Sequence, residues 1–383
     1  MAYGRRKVEG KDVVIATGNG PELTKECLYH TDGQTAHGGV GTLISGPRGG
    51  GKTTLLDQFT EGVLHYPITV HDRNYMKRMY RETAIYRVRK YDYWNTFFPE
   101  YWEHMFPEWK PKPVVLHQHV DNNYKFVTDE MGRISPLDMS EIEVIPYTDS
   151  TELILDNLKK GAINLVCEPK DYMIPSDIVK SLQLKRLQFK FGRDKEEEEN
   201  PEVVRDINNP LSTPDSDELP GQMRKVKKSR SKKYDPQPAP SPVWWFELTD
   251  RVLELKPQHE FVSFFLDELH QITPQYSMSL HFHLVGWYAT ATLDQRRMNV
   301  SLFGVSHDTT LIDYRIKRRM EFFVYTPGAR PDDNSMVWQS LTASLVKGEY
   351  VIERPGVKYG IDTFDRFIDQ PPVIIAEGMQ NYV

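Results

Sequence analysis

Eight residues, GPRGGGKT at 46–53, constrain this chain more than any other stretch. They match G-x-x-x-x-G-K-[ST] at every fixed position. Glycines at 49, 50 and 51 let the backbone bend so that successive N–H groups point inward. The flanks supply the context that such a loop needs. Upstream, VGTLIS (40–45) is short and apolar and reads as a buried strand. Downstream, KTTLLDQFTEGVLH places Leu55, Leu56, Phe59 and Val63 at helical spacing. The following helix turns its positive end toward whatever the loop holds. The stretch predicts an α/β fold with a phosphate-gripping loop, a P-loop NTPase core whose mainly parallel central sheet is flanked by helices.

The expected nucleotide-binding set is Gly46, Pro47, Arg48, Gly49, Gly50, Gly51, Lys52, Thr53 and Thr54. Lys52 should reach the β- and γ-phosphates of ATP, and the Thr53 hydroxyl should sit on Mg2+. Arg48 either touches a phosphate or points to solvent.

A second stretch, FVSFFLDELH (261–270), is an apolar run that ends in Asp267 and Glu268. A strand of this kind can deliver its first acid to Mg2+ and its second to the attacking water. The bland alternative is a strand leading into an acidic helix start. Beside the loop, Asp267 is expected as the metal ligand and Glu268 as the catalytic base. A glutamate directly after the aspartate points to ATPases with an extra strand between the loop strand and the acid-bearing strand. A GTPase would need an N/T-K-x-D base reader, and none is present.

After the apolar strand MNVSLFGV come Ser306 and His307. They stand where a polar group would sense the γ-phosphate, although a strand end is often polar in any case. Arg315, Lys317, Arg318 and Arg319 follow. One arginine can stabilise the transferring phosphoryl group from a neighbouring subunit. Arg315 is the first choice and Arg318 the second, with Arg296 and Arg297 as further candidates. The alternative is a solvated basic helix face.

The rest of the chain divides by composition. Residues 1–39 form a polar lead-in without the apolar run of a signal peptide. The core is expected at 40–330. Within it, 66–135 is crowded with aromatic and basic residues and reads as an insertion, with helix around Arg78 to Tyr93. IEVIPY and GAINLVCEP bracket TDSTELILDNLKK as strand, helix and strand, with Asp149 or Ser150 as N-cap and the helix ending at Gly161. Residues 190–242 carry blocks of opposite charge and many prolines, and are expected to be disordered or an extended insertion. The end of the chain, 331–383, reads as a small β-rich tail. Two cysteines, Cys27 and Cys167, lack metal or disulfide spacing, so a reducing, cytoplasmic setting is expected, in a host cell or virion if the source is viral. No stretch of about 18 apolar residues suggests a membrane span. The close pairs His117/His119 and His281/His283 lack further ligands.

Together, LISGPRGGGKTTLL, FVSFFLDELHQI and MNVSLFGVSHDTTLIDYRIKRRMEFFVY resemble the HerA/FtsK group of DNA-pumping ATPases. Within that group they look most like the genome-packaging ATPases of archaeal viruses. The resemblance covers about a quarter of the chain. It implies a RecA-like (ASCE) core, ATP hydrolysis with Mg2+, a hexameric homo-oligomeric ring, double-stranded DNA in the pore, and a capsid or membrane-protein partner. It carries over to Lys52, Thr53, Asp267 and Glu268. Ser306-His307 departs from the Thr-Gln or Gln that the group has at the sensor.

DNA contact should then be to phosphates and independent of sequence. RKVKKSRSKK could serve as a basic arm or be a solvated charge run; the 77–90 stretch could touch DNA or be a packed amphipathic helix. The net charge of −6 excludes a uniformly basic coat but not a local channel. The competing reading is a nucleotide-gated switch or assembly ATPase acting on a protein partner. A terminase-type motor lacks its acid-clustered nuclease domain here, and a small-molecule kinase fits less well still.

Overall fold

The computed structural model describes residues 3–8, 11–16, 19–29, 38–65, 68–71, 77–80, 82–88, 113–120, 126–129, 134–136, 143–148, 151–176, 178–180, 237–256, 260–276, 279–295, 297–363 and 373–376. The chain opens with the antiparallel pair β1 (Tyr3–Val8) and β2 (Lys11–Ala16), then helix α1 (Gly20–Tyr29). Strand β3 (Gly41–Ser45) runs through the glycine loop into α2 (Lys52–His65). Strands β4 (Ile68–His71) and β5 (Lys77–Tyr80) pair with each other. Next come β6 (Thr83–Val88), β7 (Val114–His119), β8 (Phe126–Asp129), β9 (Ile134–Pro136) and β10 (Glu143–Tyr147). Helix α3 (Thr151–Asp156), β11 (Ile163–Cys167) and β12 (Tyr172–Ile174) follow.

Beyond β13 (Gln237–Ala239) lie α4 (Trp244–Leu255), β14 (Val262–Leu266), α5 (Leu269–Ile272) and α6 (Ser279–Gln295). The remaining elements are β15 (Val300–Ser306), α7 (Tyr314–Lys317), β16 (Phe322–Tyr325), α8 (Gln339–Ser344), β17 (Glu349–Arg354), β18 (Lys358–Thr363) and β19 (Val373–Ala376). The chain divides into a main unit, 1–172 with 239–383, and a second unit, 173–238. In the second unit the described residues include a single helical turn, closed by Val179 N–H on the Pro175 carbonyl.

Ten strands form the central sheet, in the order β10-β7-β11-β6-β14-β15-β3-β16-β17-β18. The strands from β10 to β16 pair in parallel. Strands β17 and β18 add antiparallel at the edge. Strands β6, β11, β14, β15 and β16 are buried along their whole length. That is why they read as continuous runs and not as alternating ones: a parallel sheet is covered on both faces. Strand β10 closes the opposite edge and tolerates Pro146, because an edge strand needs no N–H on its open side. The core under α2 stacks Phe265 on Phe303 at 4.8 Å, with Phe59 edge-on to Phe303 at 5.9 Å. Burying each such ring contributes roughly 1.5–3 kcal/mol.

Strand β15 lies between the loop strand β3 and the acid-bearing strand β14. This is the extra strand that the Asp267-Glu268 pair implied. The sheet also corrects several expectations. The helix expected around Arg78 to Tyr93 is absent among the described residues there: 83–88 is a buried central strand, flanked by β11 and β14. Arg87 and the arginines and tyrosines around it give the segment the look of an amphipathic helix. Strand β7 also comes from the 66–135 segment, so this part of the chain supplies core strands as well as inserted ones. At the other end, β17 and β18 extend the central sheet and are no separate tail. Helix α3 stops at Asp156, short of Gly161, whose φ of 70° carries the chain into β11. Asp149, Ser150, Arg296, RKVKKSRSKK and nearly all of 190–242 lie outside the described residues. No helix among the described residues is long and apolar enough to cross a membrane.

Candidate functional site

The glycine loop leaves the C-terminal end of β3, between β15 and β16, where the chain turns to opposite sides of the loop strand. Open α/β sheets bind ligands at such a switch point. Gly49 and Gly51 take φ of 74° and 84°, a region that favours glycine. Gly46 is needed for space. A Cβ there would lie 2.0 Å from Thr326 Oγ1. Thr326 follows β16, is fully buried, and donates its N–H to the Ser45 carbonyl at 3.0 Å. The end of β16 thus forms a wall behind the loop. The sequence reading missed it, although T-P-G directly after FFVY was the available signal.

Lys52 is buried and donates to the Pro47 carbonyl at 2.8 Å, folded back over its own loop. Burial lowers its pKa, an effect opposed by the negative charges of Asp267 and Glu268 and reinforced by Arg48. The loop lysine and the two acids therefore share one electrostatic environment. Arg48 and Thr53 are exposed.

Asp267 is buried at the end of β14, and its Oδ1 accepts the Glu268 N–H at 2.8 Å. Glu268 then takes a left-handed conformation, φ 52° and ψ 47°. A non-glycine residue there costs about 1–3 kcal/mol and persists only where its surroundings hold it. Both sides of the turn are held. On the carboxylate side, Glu268 Oε1 lies 3.1 Å from His307 Nε2 and Oε2 lies 3.2 Å from His270 Nδ1. On the main-chain side, Arg87 Nη1 donates to the Asp267 carbonyl at 2.8 Å, and the Glu268 carbonyl lies 3.5 Å away.

Arg87 is completely buried. Its guanidinium meets Glu168 in a two-pronged pair, Nε to Oε2 at 2.9 Å and Nη2 to Oε1 at 3.0 Å. Trp245 Nε1 donates to the same Glu168 Oε2 at 2.6 Å, and Nη2 reaches Gln271 Oε1 at 3.4 Å. Arg87, Glu168, Trp245 and His270 were all missed in the sequence. The usable signal was an arginine inside the apolar run TAIYRV, since a buried charge requires a buried partner.

The structure separates the two expected sensor residues. Ser306 is buried, and its hydroxyl donates to the Asp308 carbonyl at 2.7 Å, closing the turn after β15. His307 is the one that reaches the acid pair. Arg315 is engaged within its own chain. It clasps Asp313 through Nε at 2.9 Å and Nη2 at 2.8 Å, and stacks on Phe282 at 4.4 Å. Arg318 is exposed over the Tyr314 ring, Arg319 and Arg297 are exposed, and Lys317 pairs with Asp332 at 3.0 Å.

Thr53 and Asp267 have the oxygen donors that Mg2+ prefers. Mg2+ commonly uses only one or two protein oxygens, with phosphates and water completing its shell. This chemistry needs no cluster of three acids or histidines, and none occurs among the described residues. The histidine pairs are structural. His117 Nε2 lies 3.1 Å from Asn164 Oδ1, with burial lowering its pKa; His119 packs edge-on to Tyr147; His281 Nε2 lies 3.1 Å from the Ile272 carbonyl.

No protein-family model matches the chain, and no curated protein matches it. Solved structures do. The genome packaging NTPase from Sulfolobus turreted icosahedral virus 2, in complex with AMPPCP, matches at 7% identity over 84% of this chain and 96% of that one, with a TM-score of 0.35. The same NTPase with ATP-gammaS matches at 7% identity over 88% and 98%, also at 0.35. The N-terminal domain of zonular occludens toxin from Neisseria meningitidis matches at 9% identity over 86% and 96%, at 0.28. Likeness at this level carries no argument about activity. The fold rests on the strand order and the loop: a P-loop NTPase core with an added strand between loop and acid pair.

Proposed function

We propose that this chain is a Mg2+-dependent ATPase that moves double-stranded DNA, in viral genome packaging, as a homo-oligomeric ring. The observation that carries the ATPase half is the shared environment of Lys52, Asp267 and Glu268 across the β3–β15–β14 strand order. In this reading the loop N–H groups and Lys52 would hold the phosphates, and Thr53 and Asp267 would hold Mg2+, which when bound would neutralise phosphate charge. Glu268 accepts the proton of the attacking water as the bond to the departing ADP breaks. His307 orients Glu268. The DNA half rests on the resemblance of the three sequence blocks to DNA-pumping ATPases. A finger role for Arg315 requires its clasp on Asp313 to open. Arg318 is already exposed.

One feature favours a second reading. Both carboxylate oxygens of Glu268 lie against histidines. A base held in this way suits a slow, nucleotide-gated switch acting on a protein partner. ATP hydrolysis with and without linear duplex DNA, beside Glu268→Gln, tests the two. Stimulation by DNA that the variant abolishes is the result expected of a motor. Hydrolysis indifferent to DNA overturns the motor in favour of the switch.

A further inference from the structure

We propose that Arg87 is a positioning residue for the Asp267-Glu268 turn, locked in place by Glu168 and Trp245. The inference rests on the ATPase reading above. It begins from an expense: a fully buried guanidinium is costly unless every donor is matched. A fold needing only stability would fill this place with an apolar side chain at no loss. Here the group is matched on both sides. Glu168 takes two donors, and the remaining Nη1 is turned onto the main chain of the acid pair.

The target is specific. Nη1 binds the Asp267 carbonyl at 2.8 Å, with the Glu268 carbonyl at 3.5 Å. These carbonyls flank a residue in the left-handed region. Nη2 also reaches Gln271, on the helix that follows. The turn cannot relax toward a right-handed or extended form without losing these partners. Its shape decides where both carboxylates point. Glu168 fixes the guanidinium plane, and the Trp245 indole fixes Glu168. Three strand ends and two helices thus converge on one turn. Arg87 is completely buried and its donors go to Glu168, Gln271 and the main chain of the acid pair, so it acts through the turn.

The test uses the full chain. Arg87→Leu alone leaves the partly buried Glu168 without its cation and is liable to unfold. The double variant Arg87→Leu/Glu168→Leu removes both charges and avoids that orphan. Arg87→Lys keeps the charge but not the fork. Three quantities are read: thermal midpoint, kcat against KM for ATP, and Kd for a non-hydrolysable ATP analogue with and without Mg2+. The double variant should fold and bind the analogue without Mg2+ within about twofold of the unaltered chain, because the loop is untouched. Its kcat, and the gain in affinity that Mg2+ confers, should fall about 10- to 100-fold, the usual range for loss of such supporting contacts. Arg87→Lys should recover part of both.

A folded double variant that keeps kcat and the Mg2+ gain within twofold overturns the proposal, leaving Arg87 as packing. If the unaltered chain hydrolyses nothing, the ATPase reading fails by itself, and the Mg2+ gain decides the role of Arg87. If the unaltered chain shows no Mg2+ gain either, both fall.

Discussion

His307 Nε2 lies 3.1 Å from Glu268 Oε1, so the ends of the neighbouring strands β15 and β14 meet at one carboxylate. The contact ties the place where the γ-phosphate would be sensed to the place where water would be activated. Glu268→Gln should retain nucleotide binding and lose at least about 100-fold in kcat, the scale of general-base catalysis. His307→Ala should lower kcat by about tenfold with little change in KM, since it removes an orienting partner and no phosphate contact. Steady-state kinetics beside analogue titration checks both. A His307→Ala that acts on KM alone would place His307 on the nucleotide instead.

Lys52 is buried, and its ammonium donates to the Pro47 carbonyl at 2.8 Å. Lys52→Met should fold normally and bind nucleotide about 10- to 100-fold more weakly, the worth of a charge-assisted hydrogen bond. Titration with a fluorescent ATP analogue measures the loss. An unchanged affinity would remove Lys52 from the phosphate site.

Gly46→Ala drives a methyl to within 2.0 Å of Thr326 Oγ1. Overpacking of this kind costs about 1–3 kcal/mol. Thr326→Ala in the same chain should recover part of it, because the clashing hydroxyl is gone. A double-mutant cycle in denaturant gives the coupling. Strict additivity would show that the wall does not press on the loop.

Cys27 is buried on α1 against Thr42 of β3, with Sγ 2.9 Å from Oγ1. Burial pushes its thiol from 9.0 up to about 12. The folded state therefore holds its proton longer than the unfolded state does. The stability this gives is complete below pH 9 and is lost as pH rises toward 12. Cys27→Ser should shift the alkaline fall of the thermal midpoint, measured from pH 8 to 11. In the native protein Cys27 should react with iodoacetamide only as fast as the chain opens.

Arg315→Ala should lower the thermal midpoint by several degrees, because it leaves buried Asp313 without its two-pronged partner. Arg318→Ala should leave it nearly unchanged, since that side chain is exposed over Tyr314. Equal midpoints for the two variants would show the Asp313 clasp to be dispensable.

What the sequence determined by itself is local. GPRGGGKT, its flanking strand and its helix are contiguous, and their spacing is set by the geometry of one turn. Asp267-Glu268 could be read because a short apolar run ended in two acids. The same pair implied the extra strand β15. The rest depended on where distant segments meet. Arg87 and Glu168 are 81 positions apart, and an arginine inside an apolar run signals burial without naming its partner. With its basic neighbours TAIYRV reads as part of an amphipathic helix, and only its place between β11 and β14 makes it a buried strand. Arg315 is a candidate for its charge, and its side-chain conformation in the fold turns it onto Asp313, two positions away. Charge and periodicity are properties of a segment, whereas burial and pairing belong to the packed sheet, and at this site pairing decides which groups remain available for chemistry.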